Sequence, residues 1–173
     1  MKMPEVGAKQ AKMSEAEEKS ILKSRLMQWR KEHTVERLGK PTKPARARTL
    51  GYKAKKGFVV ARVRIDKGGR RKRLYGRRGR KPRNMGLVKF TFGKGLQWIA
   101  EERAAKRFTS LEVLNSYFAG EDGRNKWYEV ILVDPQHPAI KNDKNMKWIS
   151  TPANRKRVLR GLTSAGKKAR GLK

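Results

Sequence analysis

The segment LEVLNSYFAGEDGRNKWYEVILV (111–133) contains two strand-like runs joined by a polar loop. Residues 111–119 and 127–133 carry β-branched and aromatic side chains, and the GEDGRNK between them has the Gly and Asp residues of a hairpin turn. Asp134 and Pro135 end the second run. Because WYEVILV is almost continuously apolar, the pattern predicts a strand that is covered on both faces.

A third strand is predicted on the N-terminal side of this hairpin, at residues 58–65 (FVVARVRI). Its residues alternate between two faces, as they do in a strand. One face is apolar and consists of Val59, Ala61, Val63 and Ile65. The other face begins with Phe58 and Val60 and ends in charge, at Arg62 and Arg64.

Two helices are predicted from apolar residues that recur with a period of about 3.6. Residues 95–108 form the first, an amphipathic helix with an expected Glu102–Lys106 ion pair on its outer side. The second covers residues 14–36, with Ser14 as its cap. Gly39 and Pro41 stop it.

The order of these elements predicts an α+β fold with a small, mostly antiparallel sheet and packed helices. We divide the chain into an N-terminal helical segment at residues 1–40, a core at 41–154 and a basic tail at 155–173. The core contains an Arg- and Gly-rich loop at residues 66–86. Loop and tail have few aliphatic side chains, so we expect neither to hold structure without a partner.

The charge of the chain is extreme and unevenly distributed. Among 173 residues, 46 are Lys or Arg and 15 are Asp or Glu, for a formal net charge of +31. Residues 40–85 and 155–173 hold most of the excess. A compact protein with this imbalance repels itself, and a polyanion relieves that repulsion. There is no Cys, which excludes disulfides, thiolate metal sites and a Cys nucleophile.

Nucleic acid is the polyanion that the basic segments favour. Arg outnumbers Lys in the 66–86 loop, and Arg grasps phosphates bidentately and stacks on bases. A membrane-binding segment would instead be an amphipathic helix, and no apolar run is long enough to cross a bilayer. Because recognition-helix, zipper and zinc-finger patterns are absent from the sequence, folded RNA fits better than duplex DNA. We expect a soluble, intracellular chain.

The residues that suggest catalysis have simpler interpretations. GLTSAGKK (161–168) follows the spacing of a nucleotide-binding loop, but Lys168 stands where that loop needs Ser or Thr for Mg²⁺. Glu101 and Glu102 point about 100° apart on a helix, so we assign them to surface ion pairs. His137 has no second ligand nearby in the sequence. We therefore predict no enzyme activity, no metal and no cofactor.

Four separated motifs resemble one known family in order and approximate spacing. They are LGYKAKKGFVVARVRIDKGGRRKR (50–73), IAEERAAKRF (99–108), LEVLNSYFAGEDGRNKWYEVILVDPQHPAIK (111–141) and RGLTSAGKKARGL (160–172). Together they are similar to the archaeal and eukaryotic ribosomal protein family L-fifteen-e, and most similar to its archaeal form. Residues 1–20 depart from the family by lacking its aromatic-rich opening.

The resemblance implies a structural protein of the large ribosomal subunit with a four-stranded antiparallel sheet and long basic extensions. It also implies that Lys53, Lys55 and Lys56, the GGRRKR motif and the tail contact rRNA. Adding the basic residues of the strand, loop and tail gives the complete predicted RNA-binding set. That set is Lys53, Lys55, Lys56, Arg62, Arg64, Arg70, Arg71, Lys72, Arg73, Arg77, Arg78, Arg80, Lys81, Arg83, Arg155, Lys156, Arg157, Arg160, Lys167, Lys168 and Arg170.

The expected function is therefore to bind and brace large-subunit rRNA inside the ribosome, in the cytoplasm. The expected partners are that rRNA and neighbouring ribosomal proteins, with no membrane and no homo-oligomer. A DNA-compacting architectural protein is the alternative, and an RNA-processing enzyme is a more distant one.

Overall fold

The computed structural model describes residues 15–69, 79–84, 86 and 92–172. The chain divides into two compact units, one ending at Glu32 and the other beginning at His33. The first unit contributes the helix α1 (Glu15–Lys31). The elements of the second unit are β1 (Val35–Leu38), α2 (Pro44–Thr49), β2 (Phe58–Asp66), a 3₁₀ turn (Pro82–Asn84), α3 (Leu96–Arg107), β3 (Glu112–Glu121), β4 (Asn125–Val133), α4 (Pro138–Lys141), two more 3₁₀ turns (Lys147–Ser150 and Pro152–Asn154) and α5 (Ser164–Ala169).

The sheet is antiparallel throughout, with the strand order β1-β2-β4-β3. The α+β fold with a four-stranded sheet is therefore confirmed. β4 lies between β2 and β3, and its residues from Trp127 to Val133 are all buried. The backbone groups at both edges of β4 form hydrogen bonds with neighbouring strands. Both faces of β4 are covered, as its continuous apolar run predicts.

Helices cover the sheet on both faces. On one face, Ala61, Val63 and Val130 pack with Trp98 and other residues of α3. On the opposite face lie two smaller clusters, one around Ala47 of α2 and one around Ile140 of α4. Since strand residues alternate in direction, neighbouring residues of β4 pack on opposite faces, with Val130 and Leu132 on the first face and Ile131 and Val133 on the second.

The structure corrects the predicted N-terminal helix. α1 ends at Lys31, whereas the prediction ran to residue 36, and Val35–Leu38 form a strand instead. These four residues pair with β2 in the register Val35↔Val63 to Leu38↔Val60. A run this short carries little periodicity, so its pairing with β2 decides its conformation. The proposed cap Ser14 lies outside the described residues.

The C-terminal segment is also better ordered than the sequence predicts. Residues 155–172 fold onto the sheet-containing unit, where Val158, Thr163 and Gly166 are buried. The segment therefore has defined elements and buried residues that its composition did not indicate. Few apolar residues are enough to hold this segment on the sheet-containing unit, because hydrogen bonds to α3 and β3 add to their packing. The predicted boundary at residue 155 does not separate two compact units.

Candidate nucleic-acid interface

The GLTSAGKK segment forms a capped helix that packs closely on the chain before it. The Thr163 hydroxyl accepts a hydrogen bond from the Gly166 amide at 3.2 Å and so caps α5. A Cβ on Gly166 would lie 2.7 Å from the Gly161 Cα. The glycine therefore allows two backbone segments to touch. Lys167, Lys168 and Arg170 are exposed on the outer side.

A buried carboxylate joins α5 to the rest of the unit. Glu101 of α3 is fully buried, and both of its oxygens accept hydrogen bonds from hydroxyls. Ser116 donates to Oε1 at 2.5 Å, and Thr163 donates to Oε2 at 2.5 Å. Burial raises the pKa of Glu101 above its usual value, and the two hydroxyls and the charge of Arg157 oppose that rise. The prediction that Glu101 makes surface ion pairs is wrong.

Residues 155–158 are held by side chains of α3 and β3. The Lys156 amide donates to Glu112 Oε1 at 2.9 Å, and Trp98 Nε1 donates to the Val158 carbonyl at 2.8 Å. Both bonds fix the backbone of the segment, and the Lys156 side chain takes part in neither of them. Lys156 is exposed, as is Arg155 beside it. The basic side chains therefore project from an anchored backbone.

Arg157 has a different position from its basic neighbours. Its guanidinium donates to the carbonyls of Val113 at 2.7 Å and Leu114 at 2.9 Å. These carbonyls lie at a bulge in β3, an edge strand of the sheet. Burial lowers the pKa of Arg157. Arg157 therefore provides hydrogen-bond donors for two carbonyls of this edge strand and covers them. Only part of the Arg157 side chain is open to a ligand.

Arg160 and Arg170 are close to one another on the exposed side of this segment. Arg160 donates to the carbonyls of Ala153 and Arg155, and Arg170 donates to the Arg160 carbonyl at 3.2 Å. Residues 144–173 contain no Asp or Glu. The cations of this segment thus have no acidic residue of their own segment to pair with, which favours an external anion.

The lysines of GYKAKKG lie on the opposite side of the sheet, and two of them already have an acidic partner. Lys53 Nζ is 2.9 Å from Asp143 Oδ2, and Lys55 contacts the same oxygen. Hydrogen bonds from these lysines lower the pKa of Asp143 well below its usual range. Lys56 is exposed. With one carboxylate shared between two lysines, this group keeps net positive charge.

Arg62 does not lie on the surface. Only 7% of the residue is exposed, and its guanidinium is 3.8 Å from the fully buried Glu129. Glu129 also accepts hydrogen bonds from the Tyr117 hydroxyl and from the Thr42 amide and hydroxyl. The strand face that was expected to end in charge is covered here, so we leave Arg62 out of the interface. Arg64 is half-buried.

Glu129 also positions two basic residues, Arg46 and Arg48, that are missing from the predicted RNA-binding set. Thr42 precedes α2, whose Ala47 is fully buried while Arg46 and Arg48 are exposed. The ARAR alternation and the strong positive charge of residues 40–85 were visible signals for this pair. The Pro and Gly residues around the segment are instead typical of an extended or looped chain.

Much of the predicted basic loop lies outside the described residues. That part includes Arg70, Arg71, Lys72, Arg73, Arg77 and Arg78. Arg80, Lys81 and Arg83 are described, and all three are exposed. They flank or belong to the 3₁₀ turn Pro82–Asn84.

The other candidate groups have structural positions. His137 Nδ1 accepts a hydrogen bond from the Ala139 amide and so caps α4. Glu102 pairs with Lys94 at 2.5 Å rather than with Lys106, which corrects the predicted i,i+4 pair. In the described part of the chain, no three His, Asp or Glu side chains are grouped to hold a metal ion. Among the same residues, no helix has both the length and the apolar character to span a bilayer.

Comparison with known families gives one match over nearly the whole chain. The family model described as Ribosomal L15, of the L15e type, matches residues 5–173. The match includes α1, the sheet, and the C-terminal segment that carries the exposed cations.

Proposed function

Because the chain belongs to the Ribosomal L15 family of large-subunit ribosomal proteins, we propose that it binds large-subunit rRNA through cations held in place by its folded core. Membership makes it a component of the ribosome, in a family whose role is structural. The family match also implies rRNA and other ribosomal proteins as its partners. It gives no support to DNA compaction. The archaeal type, the absence of homo-oligomers and the individual contact residues remain predictions.

The anchored C-terminal segment is the observation on which the proposal depends. Glu112 and Trp98 fix its backbone, Glu101 holds the Thr163 hydroxyl, and its exposed cations face no acid from residues 144–173. Such cations lose little backbone freedom when they meet phosphates, since their backbone is already ordered. Neutralised phosphates release counterions, which supplies affinity and makes it salt-dependent.

We infer that the interface has a second part on the other side of the sheet. Lys56, Arg46 and Arg48 are exposed there, on segments held by Asp143 and by the buried Glu129. Together with the exposed cations of the C-terminal segment, these residues give the protein cations on both sides of its sheet. The exposed Arg80, Lys81 and Arg83 add further positive charge. A protein with this distribution braces two RNA segments rather than lying on one.

The test measures binding of the full-length chain to transcribed large-subunit rRNA over a range of salt. We expect the triple change Lys167→Gln, Lys168→Gln and Arg170→Gln to weaken binding and to reduce the salt slope by about 2–3. The matched control removes three exposed cations elsewhere, through Lys106→Gln, Arg107→Gln and Arg124→Gln.

An equal loss in the control would show that total charge matters and that the C-terminal segment does not, against the proposal. Competition with duplex DNA at the same salt adds a second criterion. The proposal requires the wild-type chain to keep its rRNA when duplex DNA is in excess, because shape and unpaired bases contribute to RNA recognition.

A further inference from the structure

Trp148 is the exposed member of the four tryptophans. It is 39% exposed, whereas Trp29, Trp98 and Trp127 are 3%, 7% and 1% exposed. Two nearby residues, Met146 and Ile149, by contrast belong to the core, since they are buried with Ile140 and Val133. An exposed indole on a well-anchored segment has a large area to offer a ligand.

The indole is supported from one side and fixed through its backbone. The Arg157 guanidinium lies over the ring, 5.1 Å from its centroid. That guanidinium is itself fixed by the carbonyls of Val113 and Leu114. The Trp148 carbonyl accepts hydrogen bonds from the Asn154 amide at 2.6 Å and the Thr151 hydroxyl at 2.8 Å. Arg157 therefore covers part of the ring, and 39% of the residue is still exposed.

Besides Arg157, other basic residues lie close to Trp148 in the chain. Lys147 is its exposed neighbour, and Arg155 follows Asn154, whose side chain bonds to the Trp148 carbonyl. Arg160 donates to the Arg155 carbonyl at 3.0 Å and so belongs to the same group. An exposed aromatic ring with Arg157 against it and further exposed cations on the same segment suits a ligand that is both planar and anionic. A nucleotide has both properties: its base stacks on the ring and its phosphate meets the cations.

We infer that Trp148 is a stacking platform for an unpaired base of the bound RNA, with Arg157 as the positioning residue beneath it. The inference rests on the proposed function and extends it from phosphate binding to recognition of a base. Stacking on an aromatic ring tolerates any base. The site therefore selects for an unstacked nucleotide and is indifferent to its sequence. An apolar side chain of a partner protein is the other possible occupant.

The test compares two polyanions, a single-stranded adenine oligoribonucleotide and inorganic polyphosphate. Only the oligonucleotide has bases. We expect Trp148→Ala to weaken oligonucleotide binding by about 5- to 100-fold and to leave polyphosphate binding unchanged. The salt slope for the oligonucleotide should stay at its wild-type value, since no phosphate contact is removed.

Two further variants keep the experiment decisive if the Ala variant loses structure. Trp148→Phe and Trp148→Leu both keep apolar bulk, but only Phe can stack. The inference requires Phe to retain most of the affinity and Leu to lose it. Acrylamide quenching of the wild-type chain gives an independent readout, because the accessible fluorescence comes from Trp148. The oligonucleotide should shield that fluorescence and polyphosphate should not.

Equal affinity of the Phe and Leu variants for the oligonucleotide would overturn the inference and would favour a protein occupant. Equal losses for oligonucleotide and polyphosphate would also overturn it, since Trp148 would then merely support the cations. In either case the proposed function survives if the Lys167, Lys168 and Arg170 variant still weakens rRNA binding. If the wild-type chain binds no rRNA, the proposed function fails as well.

Discussion

Glu101 and Glu129 are both fully buried, on opposite sides of the sheet, and each fixes the start of a basic helix. Glu101 accepts from Thr163 before α5, and Glu129 accepts from Thr42 before α2. The two sites differ in what neutralises the charge. Glu129 has the buried Arg62 at 3.8 Å, whereas Glu101 has two hydroxyls as its hydrogen-bond donors and Arg157 only as a longer-range charge.

The difference indicates which side of the molecule depends on charge pairing and which depends on hydrogen bonding. Removing one member of a buried ion pair leaves the other charge without compensation, and this costs several kcal/mol. Removing a charge that is held by hydroxyls leaves neutral groups, and the cost is smaller. The effects of matched substitutions at the two sites should therefore differ strongly, although the carboxylates look alike in the sequence.

The largest effect is expected at Glu129. The change Glu129→Gln keeps an acceptor for Thr42 and Tyr117 but removes the buried carboxylate that lies 3.8 Å from Arg62, so we expect a loss of about 3–5 kcal/mol in the free energy of unfolding. Urea denaturation measures this loss. Adding Arg62→Met to the same chain removes the second charge and should recover much of it. A double variant as unstable as the single one would show that the ion pair is not the reason.

Gly166→Ala should have the next largest effect. The new Cβ would approach Gly161 backbone atoms at 2.7 to 3.0 Å, and backbone cannot move aside as a flexible side chain can. Overpacking of this kind costs about 1–3 kcal/mol, and it should shift α5 together with its cations. Gly39→Ala is the matched control, because a Cβ there meets nothing within 4 Å. Equal denaturation midpoints for the two variants would contradict the close contact.

Thr163→Val tests the hydroxyl that α5 shares with Glu101. Valine keeps the shape but removes the cap of α5 and one of the two hydroxyl donors to Glu101. We expect a loss of about 1–2 kcal/mol, measured by thermal unfolding, and weaker rRNA binding. Thr109→Val, at an exposed position, serves as the control and should stay within about 0.5 kcal/mol of wild type. Unchanged unfolding of Thr163→Val would mean that another contact holds α5.

Local patterns were sufficient for the strongly periodic parts of the fold. Residues 95–108 predicted α3, and the runs at 58–65, 111–119 and 127–133 predicted β2, β3 and β4 to within two residues at each end. β1 was missed because four residues of an edge strand owe their conformation to pairing with β2. The folding of residues 155–172 was missed because it depends on acceptors and donors far away in sequence, such as Glu101 and Trp98.

The sequence predicted which kind of residue forms the candidate interface. It did not predict the buried contacts that hold those residues in place. Most of the clustered Lys and Arg of the tail are exposed, because a basic side chain at the surface needs no particular partner. Arg62 and Glu101 were misplaced because alternation and helical period describe a face but do not say what covers it. A buried charge is tolerated only where several elements converge to bond it, and that convergence is a tertiary property.

The smallest effect is expected for Glu101→Gln, and it should appear as a pH dependence. Burial raises the folded-state pKa of Glu101 above 4.5. The stability that goes with the neutral carboxyl is thus fully present below pH 4.5 and is lost as pH rises through the folded-state pKa. Gln stays neutral, so wild type and variant should be nearly equal in stability in acid. With rising pH the variant should gain stability relative to wild type, by about 1 kcal/mol or less.

Urea denaturation of both chains across this range of pH measures the difference in their free energies of unfolding, in which contributions from the other carboxylates cancel. A constant difference would mean that Glu101 keeps an ordinary pKa in its buried site, and the contrast with Glu129 would then reduce to the presence of Arg62.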